Sequence, residues 1–571
     1  MIEHWQFQTG QSRDWTLRGL ILLAAIGLAY RAFYLQVIET PFLQDMAANR
    51  HVRVLNVHAN RGMIRARGGE PLAVSTAVDS LWVDPPLFVT ERQHWPKLAG
   101  LLQMSAGELE QLMSSRMQRR FVYLKRRLTP QLAAQADALG LKGLYLQREY
   151  RRYYPTAEVS GHLLGFTNID DQGQEGVELK FNQLLSGQAG KTRVVQDLHR
   201  RWVQPVEAIS AAVPGTDLQL TLDKRLQYLA YQELKAAVHQ HQAESGSAVV
   251  IDIASGDLLA MVNQPSFNPN ETAGRRPAHF RNRAVTDVFE PGSTIKPFIV
   301  AAALQAGTHR VDSWIDTDPG YLVVGGHKIR DHRPFGPLTL EGILQKSSNV
   351  GAVRIAMGLD SRQIEQLLRG VGVGKTSGAG LLGESSGLLA PAQNWRKVDQ
   401  ATLSFGYGLS VTALQLTRAY AILGNHGRDM TINITPAEAG GQVRDQVISS
   451  QVADQVVKMM EAVIAPEGTG NRAAVDGYRI AGKTGTAHLF RNGGYDKARY
   501  VATFAGLAPA SAPRLAMVVT IKDPKGEAFY AGDVAAPVFS RFMNRALPLL
   551  KIPADGVVTP THLVDVNGVS A

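Results

Sequence analysis

Three short motifs carry residue types that can perform acyl transfer together. The first is Phe289-Glu290-Pro291-Gly292-Ser293-Thr294-Ile295-Lys296-Pro297. A serine three residues before a lysine at a helix start puts both side chains on one face. Pro291 and Gly292 break what precedes, and Phe298-Ile299-Val300-Ala301-Ala302-Ala303-Leu304 reads as a buried helix. Ser293 is then expected near a helix N-terminus, where free N–H groups and the dipole favour developing negative charge. A hydroxyl attacks well only after a base takes its proton, and Lys296 is the nearest candidate. That amine must be neutral part of the time, so burial or nearby positive charge must lower its pKa.

Ser-x-x-Lys arises by chance about once or twice in a chain of this length, so specificity has to come from its company. Lys346-Ser347-Ser348-Asn349-Val350 holds Ser-x-Asn, and Ala481-Gly482-Lys483-Thr484-Gly485-Thr486-Ala487 holds Lys-Thr-Gly-Thr. Each is weak alone: Ser266-Phe267-Asn268 repeats the former, and Lys191-Thr192 and Lys375-Thr376 begin the latter without its glycine. Order and context make the set. With Ser293 as nucleophile and Lys296 as base, Ser347 can return a proton to a leaving amine. Asn349 can hold a substrate peptide group and fix the lysine. Lys483 keeps the site positive, which lowers the pKa of Lys296 and attracts a substrate carboxylate. Thr484 and Thr486 offer that carboxylate hydroxyls. Gly485, without a side chain, lets a substrate backbone lie against a strand edge. Backbone N–H groups are expected to hold the oxyanion.

Composition bounds what surrounds these groups. A chain of 571 residues implies two or more domains. Hydrophobic residues make up 45%, which excludes wholesale disorder. The formal net charge of +10 suits nucleic acid, anionic lipid or an acidic polymer such as cell wall. The basic residues are spread out and no nucleic-acid motif is present, so nucleic acid is not an expected partner. The run Arg148-Glu149-Tyr150-Arg151-Arg152-Tyr153-Tyr154 reads instead as a packed strand with charged edges. The absence of cysteine rules out disulfides, thiolate metal sites and a cysteine nucleophile. His239 and His241 fall on different helix faces with no third ligand in register, so no metal is expected. Gly370-Val371-Gly372-Val373-Gly374-Lys375-Thr376 resembles a phosphate loop, but Arg369 stands where its first glycine belongs.

The supporting elements follow in chain order. Residues 17–38 are apolar enough and long enough to cross a bilayer. Arg18 and Arg31, at the edges of the uninterrupted part, can snorkel toward headgroups. No small-x-small cleavage site follows, so an uncleaved single-pass anchor is expected. Charges on its two sides do not decide its orientation. Residues 61–75 read as strand, glycine turn, strand, and 104–139 as mainly helical. This region, about 40–205, shows no nucleophile constellation and is expected to be a non-catalytic domain. A small-residue Pro-Gly stretch at 208–215 marks a boundary. Residues 217–222 alternate as a strand, 225–241 have helical spacing, and 247–253 with 257–262 form a hairpin around Ala254-Ser255-Gly256. Two late strands, 500–505 and 515–521, precede an amphipathic helix at 534–550. An α+β arrangement follows: a central antiparallel sheet with helices packed on it. The tail from 551 is interrupted by Pro and Gly.

The motif triple resembles that of penicillin-binding proteins and class A β-lactamases, and the likeness extends well beyond it. It includes Tyr34-Leu35-Gln36-Val37-Ile38, Arg61-Gly62-Met63-Ile64, Pro71-Leu72-Ala73-Val74-Ser75 and Arg151-Arg152-Tyr153-Tyr154-Pro155. It continues through His162-Leu163-Leu164-Gly165-Phe166-Thr167-Asn168, Gly176-Val177-Glu178 and Asp287-Val288 before the first motif. Ser404-Phe405-Gly406-Tyr407-Gly408-Leu409-Ser410-Val411-Thr412 and Gly493-Gly494-Tyr495 complete it. From about residue 20 to 550 the chain resembles the class B penicillin-binding proteins of the division type, the penicillin-binding protein 3 group. The resemblance implies a short cytoplasmic segment (1–16), a transmembrane helix (17–38), a periplasmic pedestal or dimerisation domain (39–207), a transpeptidase domain (208–550) and a C-terminal extension (551–571). It implies an inner-membrane protein with its catalytic domain in the periplasm, and an oxyanion hole from the backbone N–H groups of Ser293 and Thr486. The implied activity is D,D-transpeptidation of peptidoglycan stem peptides at the septum, with β-lactams as covalent inhibitors and no cofactor. The implied partner is a membrane glycosyltransferase of the shape, elongation, division and sporulation family, together with other division proteins. A carboxypeptidase or β-lactam-hydrolysing relative, an elongation-type enzyme and a non-enzymatic scaffold are the alternatives. Two departures stand out. Ala66 occupies a turn position that usually carries Asp, and Pro297 disfavours helical geometry at Lys296.

Overall fold

The computed structural model describes residues 6–42, 52–196, 202–271, 276–437, 445–491 and 493–556. The first five residues of the leader and residues 557–571 of the expected C-terminal extension lie outside them. The apolar N-terminal stretch forms helix α1 (Gln6–Phe33), continued by a wider π-type turn over Tyr34–Ile38. Among the described residues this is the one helix long and apolar enough to cross a membrane, over the 25 residues Asp14–Ile38.

The chain packs as two compact units that interleave along the sequence. The first comprises Met1–Asn60, Ala77–Glu149 and Gly187–Pro214; the second comprises Arg61–Thr76, Tyr150–Ser186 and Gly215–Ala571. Packing and the consecutive division into 39–207 and 208–550 are therefore different partitions of the chain. In the first unit Leu81, Val83, Phe88, Trp95, Leu98 and Val122 share one apolar core. The expected helical stretch 104–139 is broken there by a strand, Val122–Leu128, between helices Ala106–Ser114 and Pro130–Asp137. Its partner decides this: Trp82 pairs with Tyr123 and Val83 with Val122, and strand preference follows such neighbours more than local propensity.

In the second unit, residues 61–75 fold as read, with Ile64 opposite Ala73 across the glycine turn. Ala66 is fully buried there, and the turn closes through the backbone, Ala66 N–H donating to the Glu70 carbonyl at 2.8 Å. Arg61 and Arg152 converge on Glu178: Arg61 Nε donates to Oε2 at 2.7 Å and Arg152 Nε to Oε1 at 2.6 Å. All three are buried, which is tolerable only because the charges are paired. The strand expected at 217–222 shortens to Leu218–Gln219, because Asp223 already caps helix α2 (Lys224–Gln240).

The central sheet of this unit matches the sequence reading. Strands β1 (Ser245–Asp252) and β2 (Leu258–Gln264) form the hairpin, and β3 (Ala481–Arg491), β4 (Gly494–Ala508) and β5 (Leu515–Lys522) follow, all antiparallel in the order β2-β1-β5-β4-β3. Every residue of β1 and β2 is buried, because helices cover both faces. Alternation along β1 shows the two faces. Val249 and Ile251 join the core that holds helix α3 (Lys296–Gln305) and α6 (Ala413–Gly424). Ala248 and Val250 join Leu226, Leu234, Phe539 and Phe542 of α2 and the C-terminal helix α7 (Ala536–Leu549). Along the chain between α3 and α6 come α4 (Leu340–Lys346) and α5 (Asn349–Met357), joined by a tight turn at Ser347. Strand β3 is a sheet edge.

Candidate active site

The three motifs meet on one side of this sheet, where a cleft of about 490 Å³ is lined by Ser293, Asp331, Ser347, Asn349, Thr484 and Thr486 among others. A larger cavity of about 650 Å³ in the same unit, lined by Glu70, Lys224, Arg225, Tyr228 and Arg545, contains no motif residue.

Ser293 lies in a 3₁₀ turn, Gly292–Ile295, that leads into α3. Gly292 has φ +54°, a conformation that favours glycine. Lys296 is the first residue of α3 and is helical (φ −56°, ψ −37°) despite Pro297. The proline is tolerated because it occupies the second helical position, where a backbone N–H has no acceptor within the helix. The turn is tied from behind: the Tyr420 hydroxyl of α6 donates to the Thr294 carbonyl at 2.8 Å.

Lys296 is fully buried. Its Nζ donates to the Ser347 carbonyl at 2.5 Å, to Ser347 Oγ at 3.3 Å and to Asn349 Oδ1 at 2.8 Å. Ser347 presents both oxygens because it adopts a left-handed conformation (φ +57°) between α4 and α5. From β3, Lys483 Nζ reaches the same Ser347 Oγ at 3.0 Å and is also fully buried. The Ser347 hydroxyl therefore sits between the two amines. Burial, then the Lys483 charge, push the Lys296 amine well below the ordinary lysine range, against an opposing pull from Asp331. Burial also holds Lys483 down, to about 7. The condition set by the sequence, a lysine neutral part of the time, is met with the cationic neighbour expected of Lys483.

On β3 the alternating residues Thr484 and Thr486 face the cleft. Their hydroxyls also have protein partners: Thr484 Oγ1 lies 2.8 Å from Thr469 Oγ1, and Thr486 Oγ1 accepts from the Ala531 N–H at 3.0 Å. As an acceptor from Ala531, Thr486 keeps its own proton free to donate. The two amides expected to form the oxyanion hole belong to segments packed side by side: a Cβ built on Gly292 comes 3.6 Å from the Thr486 nitrogen.

Gly485 also has a reason within the fold. A Cβ there would meet the Pro291 carbonyl at 2.5 Å and Thr294 Cγ2 at 2.9 Å. Its missing side chain makes room for the turn that carries Ser293. Gly406 does the same from the other side, where a Cβ would fall 2.0 Å from the Gly292 carbonyl.

All eight expected site residues are thus collected in or directly beneath one cleft. The sequence reading missed Asp331, Thr469, Tyr420 and Gly406 as parts of its framework. Gly406 lies in the run Ser404–Thr412 that resembles the family; the other three belong to no motif, and their partners are distant in sequence. His239 and His241 remain outside the site, and among the described residues no cluster of metal-ligating side chains occurs. The phosphate-loop look-alike follows helix Ser361–Gly370 and not a strand.

Comparison with known proteins agrees with this geometry. The Penicillin binding protein transpeptidase domain matches residues 246–544, and the Penicillin-binding Protein dimerisation domain matches 56–220. The peptidoglycan D,D-transpeptidase FtsI of Escherichia coli (strain K12) is 42% identical over 551 residues, covering 95% of this chain and 92% of that protein. The transpeptidase domain of penicillin-binding protein 3 from Burkholderia pseudomallei superposes with a TM-score of 0.55 at 39% identity, over 59% of this chain and 98% of that one. Penicillin-binding protein 3 from Mycobacterium tuberculosis, solved with aztreonam, gives a TM-score of 0.68 at 27% identity, over 88% of this chain and 98% of that one. With a dimerisation domain ahead of a transpeptidase domain whose three motifs share one cleft, this chain belongs to the penicillin-binding protein transpeptidase family.

Proposed function

We propose that this chain is a peptidoglycan D,D-transpeptidase that cross-links stem peptides at the division septum through an acyl-enzyme on Ser293. One observation carries the reading: two buried amines, Lys296 and Lys483, flank a single hydroxyl, Ser347, beneath the cleft that Ser293 lines. Neutral Lys296 takes the Ser293 proton, and the freed Oγ attacks the carbonyl of the penultimate D-Ala. The oxyanion is received by the backbone N–H groups of Ser293 and Thr486. Ser347, resupplied from the lysines, protonates the departing D-Ala amine. Asn349 and the edge of β3 hold the peptide, while Lys483, Thr484 and Thr486 receive its terminal carboxylate. An acceptor amine then attacks the ester, gives up its proton through the same groups and releases Ser293. β-Lactams present a carboxylate and a strained amide to this array, and one relative was solved with aztreonam.

We place the N-terminus in the cytoplasm and the catalytic unit in the periplasm, on the far side of α1. Segment 39–207 serves as the pedestal, and a membrane glycosyltransferase of the shape, elongation, division and sporulation family supplies nascent strands. Both assignments rest on the family resemblance.

The test is covalent labelling of Ser293 by a fluorescent penicillin. Wild type is expected to hold the label for many minutes, and Ser293→Ala to take none. Loss of label within seconds would show a hydrolase instead. Depletion in cells is expected to give filaments; round cells would mark an elongation enzyme. Unchanged cross-linking and septation in Ser293→Ala cells would mark a scaffold.

A further inference from the structure

Asp331 belongs to no motif, yet it grips the second motif at three points. It directly follows the strand His327–Arg330 of a two-stranded hairpin. Its Oδ1 accepts from the Asn349 N–H at 2.5 Å and the Val350 N–H at 3.1 Å, and its Oδ2 accepts from Ser348 Oγ at 2.6 Å. It lines the cleft beside Ser293, Ser347 and Asn349.

A carboxylate at the start of α5 has an ordinary use, because it satisfies free N–H groups and suits the helix dipole. Here that use is partly filled already. Ser348 caps the helix, its Oγ accepting from the Gly351 N–H at 2.9 Å. Asp331 adds its charge at the residues that hold Lys296. Asn349 donates its backbone N–H to Asp331 while its side-chain oxygen accepts from Lys296 Nζ at 2.8 Å. The Asn349 amide donates in turn to the Arg330 carbonyl at 3.1 Å, so the hairpin end also aims that side chain.

The charged groups around Lys296 come from several elements. Lys483 of β3 and Asp331 of the hairpin act on it directly. On the cleft wall stand His332, Lys346 paired with Glu467, and Asp533 paired with Arg472. Burial and Lys483 push protons off Lys296; Asp331 opposes both.

We propose that Asp331 is a positioning residue for acylation, fixing the Ser347–Asn349 turn against Lys296 with its carboxylate on the residues that hold that amine. This rests on Ser293 and Lys296 acting as nucleophile and base. Removing the charge then has two consequences of known sign. The turn loosens, so acylation slows. Lys296 also releases its proton more readily, so the rising limb of the pH–rate profile moves to lower pH.

The experiment measures the rate of labelling by a fluorescent penicillin from pH 5 to 9, using the full chain in detergent. Asp331→Asn keeps the shape and removes the charge. Its plateau should fall about tenfold, by misplacement of the turn, with the limb displaced to lower pH. Ser348→Ala loosens the same turn but keeps the charge, so its rate should fall with the limb in place. A limb that stays put or moves up in Asp331→Asn overturns the proposal, as does a wild-type plateau. Where Asp331→Asn does not fold, Asp331→Glu serves: it keeps the charge and shifts the turn, so a lower rate with an unmoved limb is expected. A wild-type rate in that variant overturns the positioning role. Ser293→Ala runs alongside; if it still takes label, the nucleophile assignment fails, a result distinguishable from any failure at Asp331.

Discussion

Gly485→Ala probes how the first and third motifs are seated on each other. The added Cβ would lie 2.5 Å from the Pro291 carbonyl oxygen, 2.9 Å from Thr294 Cγ2 and 3.3 Å from the Thr294 nitrogen. Carbon and carbonyl oxygen approach comfortably only to about 3.3 Å, so the turn must retreat by about 0.8 Å. The obstructing oxygen is backbone and cannot swing aside. Its retreat carries Ser293, which lies between Pro291 and Thr294. The turn is also pinned by Tyr420 and continues into the buried helix α3. A displacement of this size in a reacting group costs about 10²-fold in rate, and the overpacking costs about 1–3 kcal/mol of stability. Stopped-flow acylation by a fluorescent penicillin, with thermal melting beside it, reads both. Thr294→Ser in the same background removes the 2.9 Å contact and leaves the 2.5 Å one, so recovery should be partial. Acylation of Gly485→Ala within twofold of wild type would refute the packing argument. A change in binding alone, with the acylation rate constant untouched, would restore the simpler view that the glycine serves the substrate.

Two further outcomes are expected. Burial holds Lys483 down to about 7, so the cleft loses a positive charge as pH rises through that value and carboxylate-bearing β-lactams should bind progressively more weakly above it. Lys483→Arg stays charged throughout, and its binding, measured by competition against the fluorescent label, should be flat from pH 6 to 9; the same decline in both proteins would count against a charge effect. Glu178→Ala leaves Arg61 and Arg152 buried without their shared partner, a loss on the order of 3–5 kcal/mol. Urea unfolding should show a lower midpoint with little change in the acylation rate of the folded fraction; an unchanged midpoint would show that the cluster does not hold this unit together.

Much of the molecule was legible because the signals were contiguous. The hairpin over 247–262 and the strand at 515–521 are runs of apolar residues broken by glycine or polar turns. They form β1, β2 and β5, the first two as the expected hairpin. The strand between the helices of the first unit was not legible. Val122–Leu128 becomes a strand because Pro71–Val83, distant in sequence, offers it an edge. Pro297 misled for a related reason. Its local preference is real, but its position early in α3 removes the penalty.

The chemistry of the site divides the same way. Residue type, short spacing and the order of the three motifs picked out Ser293, Lys296, Ser347, Asn349, Lys483, Thr484 and Thr486 as one set, because each motif holds its groups within a turn or along one strand face. Only the tertiary structure decided how they act on one another. The carbonyl that receives Lys296 is backbone and leaves no mark in the sequence. The depressed lysine basicity comes from burial, a property of the whole core. Gly485, Gly406 and Asp331 owe their roles to segments brought against them through space. Local covalent spacing fixes which atoms can share a face, whereas desolvation and close packing exist only once distant segments meet.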